Sequence, residues 1–153
     1  DKFPALQDVT KATQRAALLL MGSTFRPAFA IAVAAGISLG AGFGEEMLFR
    51  GVFQYALSEK VGFVAGIGVS SIVFGLLHLV TPVYALLASI VSVYFGLLYS
   101  ISDNLVVPIA SHAVYDFGAL LVAHWEVSRL SALERHDLLQ WTGPDRSNPV
   151  NKP

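Results

Sequence analysis

The longest stretch without a charged side chain is residues 61–102, which read VGFVAGIGVSSIVFGLLHLVTPVYALLASIVSVYFGLLYSIS. A membrane-spanning helix needs about 20 consecutive apolar residues, so this stretch is long enough for two spans. The chain of 153 residues is 54% hydrophobic and only 14% charged, whereas soluble domains are about 25% charged. The sequence therefore predicts an all-α, multi-span membrane protein.

Polar breaks divide the apolar sequence into separate helices. Thr81-Pro82 and Ser102-Asp103-Asn104 interrupt it, because proline and clusters of Ser, Asp and Asn favour turns. We predict a bundle of at least four membrane helices. They cover residues 28–43, 61–80, 83–101 and 105–125.

The two ends of the chain differ in composition from this membrane core, which we assign to residues 27–126. Residues 1–26 predict an amphipathic or interfacial helix, residues 127–142 an amphipathic surface helix, and residues 143–153 a disordered tail. The apolar positions that share one side of the first helix are Leu6, Val9, Ala16, Ala17 and Leu20. Because the chain begins with Asp1, we expect a fragment, a processed form or an incomplete reading frame, so spans upstream could be missing.

Charge and cysteine content exclude two kinds of function. The net charge is −1, so no basic face indicates a nucleic-acid partner. There are no cysteines, which excludes disulfides and thiolate chemistry.

Glycines precede the most charged part of the membrane core, in the segment GAGFGEEMLFRG at residues 40–51. Gly36, Gly40 and Gly44 form two overlapping GxxxG steps, a pattern that lets helix backbones approach closely. We expect these glycines to bring the neighbouring helices together around the charged residues that follow.

Few ionisable residues remain inside the predicted membrane helices. They are Glu45, Glu46, Arg50, His78, His112 and Asp116, with His124 near a helix end. Such groups are costly in lipid and by default indicate a functional site turned toward the bundle interior. Three helices each carry a stripe with i,i+4 spacing, and these stripes together predict a site that handles protons or binds a metal. We expect His124, beside Trp125, to lie at the membrane interface.

Within the first stripe, Glu46 and Arg50 are one turn apart and can neutralise each other. That pairing leaves Glu45 without a partner in its own helix. Glu45 is therefore the residue that most needs a functional explanation.

Three short motifs carry a resemblance to a known family. EEMLFR at 45–50 matches EExxxR, FGLLH at 74–78 matches FxxxH, and HAVYD at 112–116 matches HxxxN/D. Their order and spacing resemble the CAAX-protease and bacteriocin-processing family of intramembrane endopeptidases, which includes the type II CAAX prenyl proteases. The resemblance extends from Gly36 to about Leu121, and it makes residues 27–126 the protease core.

The resemblance implies hydrolysis of a peptide bond by an activated water, without a covalent intermediate. Glu45 would be the base assisted by His112, and His78 the donor to the oxyanion. Asp116 would take the last family position, and Glu46 and Arg50 would support the site. The implied partners are membrane lipids and a membrane-proximal peptide or a lipidated protein of the CAAX type. The implied location is a bacterial-type plasma membrane.

Several alternatives stay open at this stage. The family often has Asn where this chain has Asp116, so Asp116 either carries a proton or holds His112 in the right tautomer. Glu45, His78 and His112 would also supply a His₂Glu set for zinc, although we favour a site that requires no cofactor. A non-proteolytic membrane scaffold or immunity protein of the same fold is the alternative function.

The positions of the two site histidines raise a problem of depth. If 61–80 and 105–125 were straight spans, His78 and His112 would differ in depth by roughly 15 Å at 1.5 Å per residue. We therefore predict that the Thr81-Pro82 turn lies within the membrane and lines a cavity, where irregular backbone is tolerated.

Overall fold

The computed structural model describes residues 4–144. Within them the chain forms seven α-helices and one π-helical segment. The α-helices are α1 Pro4–Met21, α2 Pro27–Glu46, α3 Tyr55–Val61, α4 Phe63–Leu77, α5 Pro82–Ser102, α6 Val106–Arg129 and α7 Ala132–Gln140. The π-helical segment, Met47–Gln54, lies between α2 and α3.

The helices α2 and α3 and the π-helical segment join into one continuous helical stretch, Pro27–Val61. Pro27 starts it in the first turn, where a missing N–H costs nothing. Gly62 ends it with a φ of 85°, a conformation that favours glycine. The π-helical segment widens the helix directly after Glu45 and Glu46, and π-helical turns inside α-helices occur frequently at functional sites.

Three helical stretches in the described chain are long and apolar enough to cross a membrane, namely Pro27–Val61, Pro82–Ser102 and Val106–Arg129. The fourth predicted membrane helix, α4, is apolar but has only 15 residues. It ends at Leu77 instead of residue 80, because a turn follows and Thr81 caps the next helix. The Thr81 hydroxyl accepts a hydrogen bond from the backbone N–H of Tyr84 at 3.0 Å. The prediction of an all-α, multi-span bundle is confirmed.

The closest approach between α2 and α6 occurs at Gly42. A methyl group there would lie 2.9 Å from the carbonyl oxygen of Ile109 and 3.2 Å from the Cβ of Ala113. The expectation for Gly36, Gly40 and Gly44 was wrong, since a Cβ on any of them would meet nothing within 4 Å. These three glycines lie on a different face of α2 from Gly42, and the GxxxG spacing alone does not say which face meets a neighbour.

The terminal helices pack against the end of α6. Ala17 and Leu18 of α1, Ala123 and Val127 of α6 and Leu138 of α7 form one buried apolar cluster. The predicted face of α1 was partly wrong, because Leu6 and Leu20 are about half exposed while Leu18 and Met21 are buried. Packing against α6 and α7 selects the buried side of α1.

The boundary of the last helix also differs from the predicted 127–142. Helix α6 continues to Arg129, and α7 begins at Ala132 behind a capping box. Ser131 N–H donates to Glu134 Oε2 at 2.7 Å, and Glu134 N–H donates to Ser131 Oγ at 3.2 Å. These hydrogen bonds lower the pKa of the Glu134 carboxyl from its ordinary value. Most of the predicted tail, residues 145–153, lies outside the described residues.

Candidate active site

The two adjacent carboxylates of the first motif lie in different surroundings. The Glu46 side chain is fully buried, whereas 34% of the Glu45 side chain is exposed. Adjacent residues on a helix point about 100° apart, so one faces the packed interior while its neighbour reaches an open face. The chain therefore has one enclosed carboxylate and one accessible carboxylate at the same depth.

Glu46 links Arg50 to His112. Arg50 Nη1 donates to Glu46 Oε1 at 3.1 Å, and Arg50 Nε lies 3.0 Å from Glu46 Oε2. The same Oε1 accepts from His112 Nδ1–H at 2.8 Å. The predicted pairing of Glu46 with Arg50 is present. Glu46 has a second partner that the prediction did not include, since it is also the carboxylate nearest to His112.

Arg50 is anchored on α5 by Ser92. Its Nη2 donates to the backbone oxygen of Ser92 at 2.5 Å and to the hydroxyl of Ser92 at 2.8 Å. One turn further on, Gln54 Nε2 donates to Gly96 O at 3.2 Å and to Ser100 Oγ at 3.2 Å. The buried guanidinium is thus hydrogen-bonded as well as ion-paired, which offsets the cost of removing it from water.

The sequence reasoning missed these residues of α5. Ser92, Gly96 and Ser100 are spaced four residues apart, as Glu46, Arg50 and Gln54 are on the other helix. Gly96 is needed there, because a Cβ would lie 2.7 Å from the amide oxygen of Gln54. The matched four-residue spacing of small and polar residues was the available signal.

Glu45 faces two imidazoles. Its Oε2 lies 3.7 Å from His78 Nε2 and 4.0 Å from His112 Nε2. That oxygen is buried and has no hydrogen-bond partner within the described residues. The two distances are too long for direct hydrogen bonds. His78 and His112, which lie far apart in sequence, thus converge on one carboxylate oxygen.

Both histidines are held by their other ring nitrogen. His78 Nδ1–H donates to the backbone oxygen of Phe74 at 2.8 Å, because a carbonyl can only accept. His112 Nδ1–H donates to the Glu46 carboxylate. Phe74 stacks on His78 with ring centroids 4.3 Å apart, and Phe95 stacks on His112 at 4.8 Å. These contacts direct both Nε2 atoms toward Glu45.

Asp116 completes the group on α6. Its Oδ2 lies 3.3 Å from His112 Nε2, and its side chain is 28% exposed. A contact between a carboxylate oxygen and a ring nitrogen requires a proton on one of the two atoms. Because Nδ1–H of His112 is donated to Glu46, Asp116 is either protonated and donates to Nε2, or ionised and accepts from a doubly protonated His112. Glu46, not Asp116, therefore sets the tautomer of a neutral His112.

His124 lies outside this group. Its side chain is fully buried within the protein, and its ring lies 5.3 Å from that of Phe25. Its place at the membrane interface stays a prediction. Phe25 belongs to the connection between α1 and α2, and that connection covers this part of α6.

The side chains do not form a metal-ligand set in this arrangement. Among residues 4–144, no three His, Cys, Asp or Glu side chains are positioned to hold a metal ion together. Glu45, His78 and His112 are thus not positioned as a ready ligand set, the zinc alternative stays a prediction, and no step below passes through a metal.

The fold and the site together define a helical membrane protein with a candidate carboxylate–imidazole active site. The family model described as Type II CAAX prenyl endopeptidase Rce1-like matches residues 27–118, and the chain belongs to this family. The match includes all six predicted site residues and confirms the family that the three motifs predicted. It supports a peptidase at the level of the family. No curated protein and no solved structure matches the chain.

Proposed function

We propose that this protein is an intramembrane endopeptidase that hydrolyses a peptide bond with a water activated by Glu45. The observation that carries the proposal is the unpartnered, buried Oε2 of Glu45 between two imidazole nitrogens, at 3.7 and 4.0 Å. A carboxylate in that position, partly exposed and facing two imidazoles, can accept a proton from a water bound at its exposed side. The partial exposure of Glu45 leaves room for a substrate.

The reaction begins when Glu45 removes a proton from this water and the oxygen attacks the carbonyl carbon. The electron pair of the C=O bond moves onto its oxygen, which becomes an oxyanion. When the intermediate collapses, the C–N bond breaks and Glu45 returns the proton to the leaving nitrogen. One carboxylate thus acts first as general base and then as general acid.

His78 and His112 have different roles in this scheme. His78 donates from Nε2 to the oxyanion when both of its ring nitrogens carry protons, because Nδ1–H is bound to Phe74. His112 assists Glu45 through the charge of its ring, 4.0 Å from Glu45 Oε2, when both of its ring nitrogens carry protons. Arg50 and Glu46 keep the His112 ring in place through its Nδ1–H.

The substrates we propose are membrane-proximal peptides or prenylated C-terminal peptides of the CAAX type. The family match supports this class, and the apolar helices around the site would keep an apolar chain near the scissile bond. We place the protein in a bacterial-type plasma membrane, with lipids as its other partners.

The decisive experiment compares Glu45→Gln with Glu59→Gln in purified protein in detergent micelles. The probe is an internally quenched peptide with a prenylated CAAX sequence, alongside the same peptide without the prenyl group. Loss of a general base lowers rates by about 10²–10⁴-fold, so we expect that loss for Glu45→Gln. Glu59 is exposed at the end of α3, and its variant should cleave at the wild-type rate.

If Glu45→Gln cleaves the probe as fast as the wild type, the proposed mechanism is wrong. If neither probe is cleaved by the wild type, the non-proteolytic scaffold becomes the better interpretation. Incubation with a chelator tests the proposal that no cofactor is required, for which we expect undiminished cleavage. A chelator-dependent loss that added zinc restores would establish the alternative.

A further inference from the structure

The ring of Phe95 covers one face of the His112 imidazole. The two ring centroids are 4.8 Å apart and the ring planes are inclined by 17°, so the rings are stacked. Phe95 is 2% exposed and lies on α5, a helix that carries none of the three motifs. It has no part in the proton transfers proposed above, yet it is in direct contact with one of the site imidazoles.

The Nε2 end of the His112 ring is held less closely than its Nδ1 end. Nδ1–H donates to Glu46 at 2.8 Å, whereas Nε2 lies 3.3 Å from Asp116 and 4.0 Å from Glu45. A tilt of the ring about the short contact would change both of the longer distances. Because the protein interior is close-packed, the Phe95 ring blocks a tilt toward its own side and so maintains the distance from Nε2 to Glu45.

Helix α5 also holds the other end of the chain of contacts from Arg50 through Glu46 to His112. The Ser92 hydroxyl accepts from Arg50 Nη2 at 2.8 Å. Ser92 and Phe95 are three residues apart and therefore lie on one face of α5. The Arg50 Cζ is 5.7 Å from the centroid of the Phe95 ring, within the range of a cation–π contact. Phe95 thus contacts both the arginine and the histidine that Glu46 links.

From these contacts we infer that Phe95 is a positioning residue, whose ring fixes the plane of the His112 imidazole so that Nε2 points toward Glu45. The inference rests on the proposed peptidase function. Phe95 transfers no proton and acts only through His112. Its effect is on kcat, because a displacement of about 1 Å in a site group can lower the rate about 10²-fold. An aliphatic side chain fills part of the same space but presents no flat face to the imidazole.

The test is Phe95→Leu in purified protein in detergent micelles, assayed with the prenylated CAAX probe at a temperature where the variant is folded. We expect kcat to fall by up to about 10²-fold, with KM close to wild type. Phe25→Leu is the matched control, because Phe25 packs on His124, another histidine of α6, with ring centroids 5.3 Å apart. That variant should cleave the probe at the wild-type rate.

A spectroscopic measurement tests the stacked contact without any substrate. Protons that lie over the face of an aromatic ring resonate upfield, and the chain has four histidines, so a protein labelled in its histidine rings gives few signals. The His112 signals are assigned by their absence in His112→Gln. We expect them to move downfield in Phe95→Leu and to stay in place in Phe25→Leu. Phe95→Met, whose flexible side chain fills irregular space, should give the same shift and a similar loss of kcat.

The possible results separate the position of the His112 ring from the packing of the core. A fall in kcat and a downfield shift that are confined to the Phe95 variants support the inference. If Phe95→Leu does not fold, Phe95→Met decides the question.

Three results would overturn the inference. Wild-type kcat in the Phe95 variants, with Glu45→Gln inactive, overturns the positioning role and leaves the proposed function intact. A raised KM with unchanged kcat, or His112 signals that do not move, also overturns that role. An equal fall in kcat for Phe25→Leu would assign the effect to general loosening of the bundle.

Discussion

The first half of α6 lies in a polar interior, and its second half lies in an apolar one. His112, which is 5% exposed, contacts Glu46, Asp116 and the ring of Phe95. Val127, which is fully buried, belongs to the apolar cluster that the end of α6 forms with α1 and α7. One helix thus belongs to two kinds of core. We call the surroundings of His112 the polar region, and the cluster that contains Val127 the apolar seam.

The difference lies in how each region fixes geometry. In the polar region, hydrogen bonds of defined direction connect Ser92, Arg50, Glu46 and His112. In the apolar seam, burial favours association but specifies no direction. In the polar region, a substitution that changes one side-chain atom should therefore abolish activity. In the apolar seam, truncation of a side chain should lower only the stability of the protein.

The largest effect should come from Glu46→Gln in the polar region. It leaves Arg50 buried without its counter-charge, and breaking a buried ion pair costs about 3–5 kcal/mol of stability. It also replaces the carboxylate that holds His112 Nδ1–H. We expect a much lower Tm in detergent micelles and loss of cleavage, whereas exposed Glu59→Gln changes neither.

A double variant, Glu46→Leu with Arg50→Leu, sharpens this prediction. Replacing both partners of a buried pair with apolar groups is often neutral or stabilising, so the Tm should recover relative to Glu46→Gln. Activity should stay absent, because His112 still lacks its acceptor. Recovered activity in the double variant would show that Glu46 does not act through His112.

An intermediate effect is expected for Leu138→Ala in the apolar seam. Leu138 is 6% exposed and packs against Ala17 and Val127, and such truncations cost about 2–5 kcal/mol. We expect a lower Tm with unchanged kcat. Leu133→Ala, in the same helix but 71% exposed, should leave the Tm unaltered. A fall in kcat for Leu138→Ala at temperatures where the protein is folded would contradict the separation of the two regions.

The smallest effect should come from Gly42→Ala, at the contact of α2 with the polar half of α6. The added methyl would lie 2.9 Å from Ile109 O, and overpacking of this kind costs about 1–3 kcal/mol. Because the contact adjoins Ala113, next to His112, kcat should fall as well. Gly40→Ala meets open space and should be neutral or slightly stabilising. Equal effects of the two variants would mean that α2 and α6 do not meet at Gly42.

Local patterns predicted much of this molecule. The charge-free stretch at 61–102 predicted membrane helices, and the Thr81-Pro82 break located the start of α5 within one residue. The three i,i+4 stripes identified the ionisable residues that meet around Glu45. Periodicity fails where a residue has no charge to reveal its direction, and for that reason Ser92 was missed.

The sequence by itself determined the class of the protein and the residues of the candidate site, because hydropathy and side-chain chemistry are properties of short segments. Only the tertiary structure decided the contacts between them. In the tertiary structure, α2 meets α6 at Gly42 and not at Gly36, Gly40 or Gly44. His112 is hydrogen-bonded to Glu46, and Glu45 Oε2 lies between two imidazoles. The physical reason is that the rotation of each helix about its axis is set by packing against its neighbours. Rotation of α2 about its axis by about 100° would turn Glu45 into the direction that Glu46 now has.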